Sequence, residues 1–161
     1  MRHRVIVALS LAACLTGAAA AAEDQYANYY YPPVTSEETF ARTLTPGQIS
    51  NREVRVNFVT AITKAQLAAP ESPRYVLFEK GADSDRLIVV ALDDEVFRTL
   101  FRARALLAQM TSNLRGTEFF REQNLDLEGT FYDILQVMGF TSLVISDGSE
   151  WAHRVNFKPE E

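Results

Sequence analysis

The sequence predicts an α+β domain over residues 35–161: two helix-plus-β-hairpin units forming a mostly antiparallel four-stranded sheet packed with helices. Three observations lead there. Val96, Leu100, Ala103, Leu107, Met110 and Leu114 recur at spacings of four and three residues, the apolar stripe of a long helix. Arg74–Lys80 and Arg86–Leu92 are strand-like runs on either side of a Gly81–Asp85 turn. Phe140–Ser146 and Ser149–Phe157 flank Asp147-Gly148, which fits a two-residue hairpin turn of the primed type.

The elements follow in order. Arg2, His3 and Arg4 give a positive start, and Val5–Leu15 is an apolar run of 11 residues broken only by Ser10. Ala18–Ala22 supply small residues, and Glu23 and Asp24 follow with negative charge. That is the three-part secretory signal, and the run is short of the roughly 20 residues that span a bilayer. Residues 1–22 are therefore expected to be removed on export. Leu11-Ala12-Ala13-Cys14 also resembles the lipobox of bacterial lipoproteins, although cleavage before Cys14 would leave an unusually short signal. Cleavage among the alanines is expected, with a lipid anchor at Cys14 as the alternative. Cys14 is the only cysteine, so no intramolecular disulfide can form and packing must carry stability.

Cutting 22 of 161 residues leaves 139, ample for one core. Losing Arg2 and Arg4 leaves 14 basic against 21 acidic side chains, a net charge of −7. An acidic domain without a basic cluster argues against nucleic acid and against anionic membranes as partners.

Residues 23–34 form a Tyr/Pro-rich tail, expected to be extended. Tyr26, Tyr29, Tyr30 and Tyr31 precede Pro32-Pro33, which forbids a helix there. The tyrosines are expected to cover the domain's own surface, with an external partner as the alternative. Thr35-Ser36-Glu37-Glu38 fits a capping box, predicting a short helix to about Leu44 before Pro46-Gly47. Ser50-Asn51-Arg52-Glu53 fits a second one. The run to Ala69 places Val54, Phe58, Ile62 and Ala65 at helical spacing, and Pro70 stops it.

After the first hairpin, Asp93-Asp94-Glu95 sets carboxylates at the start of the striped helix, where its dipole favours them. Arg98, Arg102 and Arg104 lie off the stripe and read as a solvated face paired with Asp94. Gly116 ends the helix, Thr117–Gln123 fits another short turn, and Thr130–Met138 is helical with Gly139 as its stop. In the last strand Trp151, His153, Val155 and Phe157 alternate with polar neighbours.

No catalytic, cofactor or metal site emerges from the motifs. His153 is the one histidine after the signal. A general base needs a companion placed by the fold, and Asp147 and Glu150 are near only in sequence. A structural histidine is the expectation. One histidine without cysteine leaves only carboxylates for zinc. Asp83-x-Asp85 and Asp126-x-Glu128-Gly129 do not extend to a calcium loop and suit turns and caps. The seven glycines, at 17, 47, 81, 116, 129, 139 and 148, form no phosphate-cradling loop, and no G-x-S-x-G is present.

The segments Tyr26–Glu38, Phe101–Ala108 and Val144–His153 resemble a group of small exported proteins of unknown function from Gram-negative bacteria. Members of that group often carry the automatic name molybdopterin-guanine dinucleotide biosynthesis protein A. The enzyme properly so called is a cytosolic nucleotidyltransferase with a glycine-rich L-A-G-G-x-S-x-R-M-G-like loop. This sequence has no such loop and has an export signal instead, which disfavours that activity. The reading that remains is a periplasmic domain acting by binding, as an accessory of the cell envelope or a carrier of a small ligand. The rival is a hydrolase-like enzyme using His153 with a nearby carboxylate.

Overall fold

The computed structural model describes residues 25–40, 42, 50–92 and 98–157. The signal segment 1–22, the lipobox at Cys14 and the acidic residues 93–95 lie outside them. Along the chain run β1 (Ser36–Phe40), α1 (Arg52–Ala68), β2 (Tyr75–Lys80), β3 (Arg86–Ala91), α2 (Leu100–Arg115), α3 (Glu118–Glu122), α4 (Phe131–Val137), β4 (Ser142–Ser146) and β5 (Ala152–Phe157). The class is α+β, but the sheet differs from the expectation. It has five strands in the order β1-β5-β4-β3-β2 and is mixed, not four-stranded and mostly antiparallel.

Both hairpins form: β2 and β3 pair antiparallel, as do β4 and β5. They join through β3 and β4, which run parallel, with Leu87 opposite Leu143 and Val89 opposite Ile145. The long helical connection from β3 to β4 is the cause. Parallel neighbours need a crossover, and α2 to α4 supply one that returns the chain to the end of the sheet from which β3 starts.

The fifth strand stands where a helix was expected. The hydroxyl of Thr35 does not cap a helix; it donates to the carbonyl of Ala152 at 2.8 Å, and the Thr35 N–H reaches the same oxygen at 2.8 Å. Residues 36–40 then pair parallel with β5, Ser36 opposite His153 and Phe40 opposite Phe157. The sequence also alternates, with Ser36, Glu38 and Phe40 on one face, and contact with β5 decides between two local readings that are both available. The stretch 43–49, where the helix was to end, lies outside the described residues.

Two caps shift. Asn51, not Ser50, caps α1, accepting from the Val54 N–H at 2.9 Å. Thr99 caps α2. The turn after β4 is also longer than two residues. The Asp147 carboxylate accepts from the N–H groups of Ser149, Glu150 and Trp151, each at 2.9 Å, so β5 starts only at Ala152.

The sheet has two unlike faces. Leu77, Leu87, Val89, Leu143, Ile145 and Val155 pack against the helices in the main core. Ile88, Val144 and Ala152 face the other way, where Tyr31 of the N-terminal segment covers them. Arg55 is the polar pin of the core side. Its guanidinium donates to the carbonyls of Asp83 at 3.2 and 2.8 Å and of Met138 at 2.9 Å. Among the described residues no helix is long and apolar enough to cross a membrane.

Candidate functional site

A polar chain crosses the helix face at the β1 edge. His153 on β5 is 2% exposed, and Trp151 stacks beside it with 12° between the rings. The Ser36 hydroxyl and His153 Nδ1 are 2.8 Å apart. On the other side, Nε2 lies 3.4 Å from Glu38 Oε1, an approach without good hydrogen-bond alignment. Arg104 of α2 donates to Glu38 Oε2 at 2.7 Å, and the Tyr132 hydroxyl donates to Oε1 at 3.4 Å. Burial pushes the Glu38 carboxyl up, but the hydrogen bonds and charges of Arg104 and His153 outweigh it and hold it below the usual glutamate range. Burial, and then the charge of Glu38, push the Tyr132 phenol well up, so it stays a neutral donor.

The carboxylate at His153 is therefore Glu38, not the sequence neighbours Asp147 and Glu150. Asp147 is used inside its own loop, where burial is outweighed by backbone N–H groups that keep it ionised. Arg104 turns to Glu38, and its expected partner Asp94 lies outside the described residues. Asp83, Asp85, Asp126 and Glu128 sit in loops, and among the described residues no three His, Cys, Asp or Glu side chains gather as metal ligands would.

The other sheet face carries a second constellation. Strand register aligns Arg86, Ser142 and Asn156 in one row across β3, β4 and β5. Ile88, Val144 and Arg154 form the next row on the same face. Above them, residues 26–31 coil in successive turns, with the Tyr29 and Tyr30 N–H groups both reaching the Tyr26 carbonyl. The Tyr26 hydroxyl accepts from the Gly81 N–H at 2.9 Å, fastening the coil to the β2–β3 turn. Arg86 lies over the Tyr26 ring, 5.7 Å from its centroid, and Lys80 lies 4.7 Å from that of Tyr30. Between coil and sheet opens a hollow of about 470 Å³, walled by Tyr26 and Tyr31 and floored by Ile88 and Val144. No family model, curated protein or solved structure matches this chain.

The tyrosines were legible in the sequence as a binding or covering segment. The floor was missed, because it exists only once β3 and β4 pair parallel in this register. Ser36 and Glu38 were missed because they were read as a helix cap.

Proposed function

We propose that this is an exported domain of the bacterial envelope that works by binding a small ligand, without chemistry on it. One observation carries the reading: the hollow under the tyrosine coil. Its volume of about 470 Å³ lies in the range of small-molecule sites, and its lining sets Ile88 and Val144 beside polar side chains that include Arg86, Ser142 and Asn156. Its roof is residues 25–31, the segment that would follow directly on a signal cleaved after Ala22. The absence of a phosphate-cradling glycine loop argues against the nucleotidyltransferase reading.

The test is the intact mass of the protein taken from the envelope fraction of its own host under gentle ionisation. A mass starting at or near Glu23 with an added small molecule supports export and carriage together. An acylated mass starting at Cys14 makes it a tethered accessory instead. A full-length cytosolic mass overturns the export reading.

A second reading has one observation in its favour. Ser36, His153 and Glu38 stand in the order nucleophile, base and orienting carboxylate, the logic of a hydrolase triad. Arg104 already neutralises Glu38, and His153 is buried beneath Trp151, which weighs for a structural cluster. His153→Ala separates the two. The binding reading expects lost stability at most, and the enzyme reading expects an intact fold with the phenotype gone.

A further inference from the structure

We infer that residues 25–33 form a strap over the hollow, latched by the Tyr26 hydroxyl on Gly81 and pivoting at Val34, so that the hollow opens and closes while the sheet stays folded. The inference rests on the binding reading above and supplies the regulation of that site.

The strap is a unit by its own bonds. The Asn28 N–H donates to the Tyr31 carbonyl at 2.6 Å, and the Tyr29 and Tyr30 N–H groups donate to the Tyr26 carbonyl at 3.3 and 3.1 Å. Asn28 takes a left-handed φ of 66°, which asparagine tolerates better than most side chains, and this bends the chain back on itself. The Tyr29 ring meets the edge of Tyr30, with centroids 4.7 Å apart. All these contacts lie inside the coil, so they persist when it lifts from the sheet.

Little buried surface ties the strap to the body. Tyr31, 3% exposed, is its one buried side chain and covers Ile88 and Val144. Residues 25–30 are all exposed or half-buried. Tyr26 accepts from the Gly81 N–H at 2.9 Å and carries Arg86 over its ring, while Tyr30 tilts against Phe78 at 5.0 Å beneath Lys80. Segments held by so few buried contacts open locally, at a fraction of the free energy of global unfolding.

The residues that follow set the pivot. The Thr35 N–H and hydroxyl both reach the Ala152 carbonyl at 2.8 Å, which fixes the chain to β5 from there on. The rings of Pro32 and Pro33 lock φ, and each proline also restricts the residue before it. Turning therefore falls at Val34, between the stiff pair and the clasp. The prolines act as an arm that carries Tyr31 off the floor as Tyr26 leaves Gly81.

The experiment needs no ligand. Tyr26→Phe keeps the ring and removes the acceptor. Residue-resolved hydrogen exchange is expected to show the Gly81 amide about fivefold faster in this variant, the equivalent of one neutral hydrogen bond, with the amides of β3 and β4 unchanged. A thiol on the floor reports the opening itself. Cys14→Ser removes the only native cysteine, and Val144→Cys, or Ile88→Cys where the first does not fold, places the thiol under Tyr31. Ellman's reagent is expected to label it about fivefold faster once Tyr26→Phe is added, at a rate nearly independent of low urea, because local opening exposes little surface. Unchanged Gly81 exchange overturns the latch. Labelling that Tyr26→Phe does not speed, or that follows global unfolding in urea, overturns the strap and leaves the binding reading with a hollow of fixed shape. An intact mass without ligand would remove the binding reading and leave these opening rates as measured.

Discussion

Arg104 on α2 grips the Glu38 carboxylate at 2.7 Å, and this pair ties the outermost strand of the sheet to the helical layer. β1 has only β5 beside it among the described residues, so contacts from its side chains to the helices matter more than they would in a central strand. Glu38 also faces His153 Nε2 and the Tyr132 hydroxyl. Glu38→Gln keeps the size and loses the charge. The side chains of the pair are 57% and 31% exposed, so solvent screens it and the loss should be about 1 kcal/mol. Chemical denaturation at neutral pH, in low and high salt, measures it; salt should shrink the difference between wild type and variant.

Acid should act through the same group. The folded Glu38 carboxyl titrates below its ordinary value of 4.5. Its stabilising contribution is thus complete above about pH 4.5 and is lost as pH falls through the lower folded value. Asp147, also held below its ordinary 3.8, adds a second loss at more acid pH. The wild type should therefore lose stability below about pH 4.5 more steeply than Glu38→Gln. Parallel curves for the two proteins between pH 5 and pH 3 would show that Glu38 does not drive this dependence.

Asp147 carries its own prediction. One carboxylate oxygen serves three consecutive N–H groups at 2.9 Å, and Ser146 Oγ donates to the Trp151 carbonyl at 2.7 Å in the same loop. Asp147→Ala removes the hub and should cost about 2 kcal/mol. Asp147→Asn retains a neutral acceptor and should cost about half that. Thermal unfolding of the three proteins ranks them, and an alanine variant no worse than the asparagine one would contradict the account.

Much of the fold is legible locally. The β2–β3 and β4–β5 hairpins need only neighbouring residues, and Leu100, Ala103, Leu107, Met110 and Leu114 announce α2 by spacing alone. What escaped was decided at long range. Ser36 meets His153 across 117 positions, and no local signal sets Thr35 against Ala152 rather than against its own Glu38. Until β1 is placed, Glu38 looks like half of a helix cap and His153 has no visible carboxylate. The hollow has the same origin. Tyr26 and Tyr31 are conspicuous in sequence, but Arg86, Ser142 and Arg154 become neighbours only through the parallel register of β3 on β4.

Arg55 is legible in neither way, because an arginine on a helix is ordinarily solvated. Here it is 5% exposed and bonds the carbonyls of Asp83 and Met138, joining α1, the β2–β3 turn and the end of α4. Arg55→Met keeps the aliphatic length and orphans those carbonyls, so it should cost about 3 kcal/mol. Arg55→Lys should rescue little, since one ammonium cannot reproduce the fork that serves two separate acceptors. Equal stability of the methionine variant and wild type in urea would show the clamp to be energetically idle.

The tyrosine coil gives the prediction that links fold to function. Tyr31 is 3% exposed and packs with Ile88, Val144 and Ala152, whereas Tyr29 is 79% exposed. Tyr31→Ala uncovers the second face of the sheet and should cost about 3 kcal/mol; Tyr29→Ala should be near neutral. Proteolysis resolves where the loss falls. Nothing but the tyrosine segment covers that face among the described residues, so opening it should be local. The Tyr31 variant should be cut within residues 25–35 at protease levels that leave the wild type whole, while the core strands β3 and β4 keep their slow amide exchange. Exchange that quickens throughout the sheet would instead make Tyr31 part of the global folding unit. The roof of the hollow could then not open for a ligand without unfolding the domain.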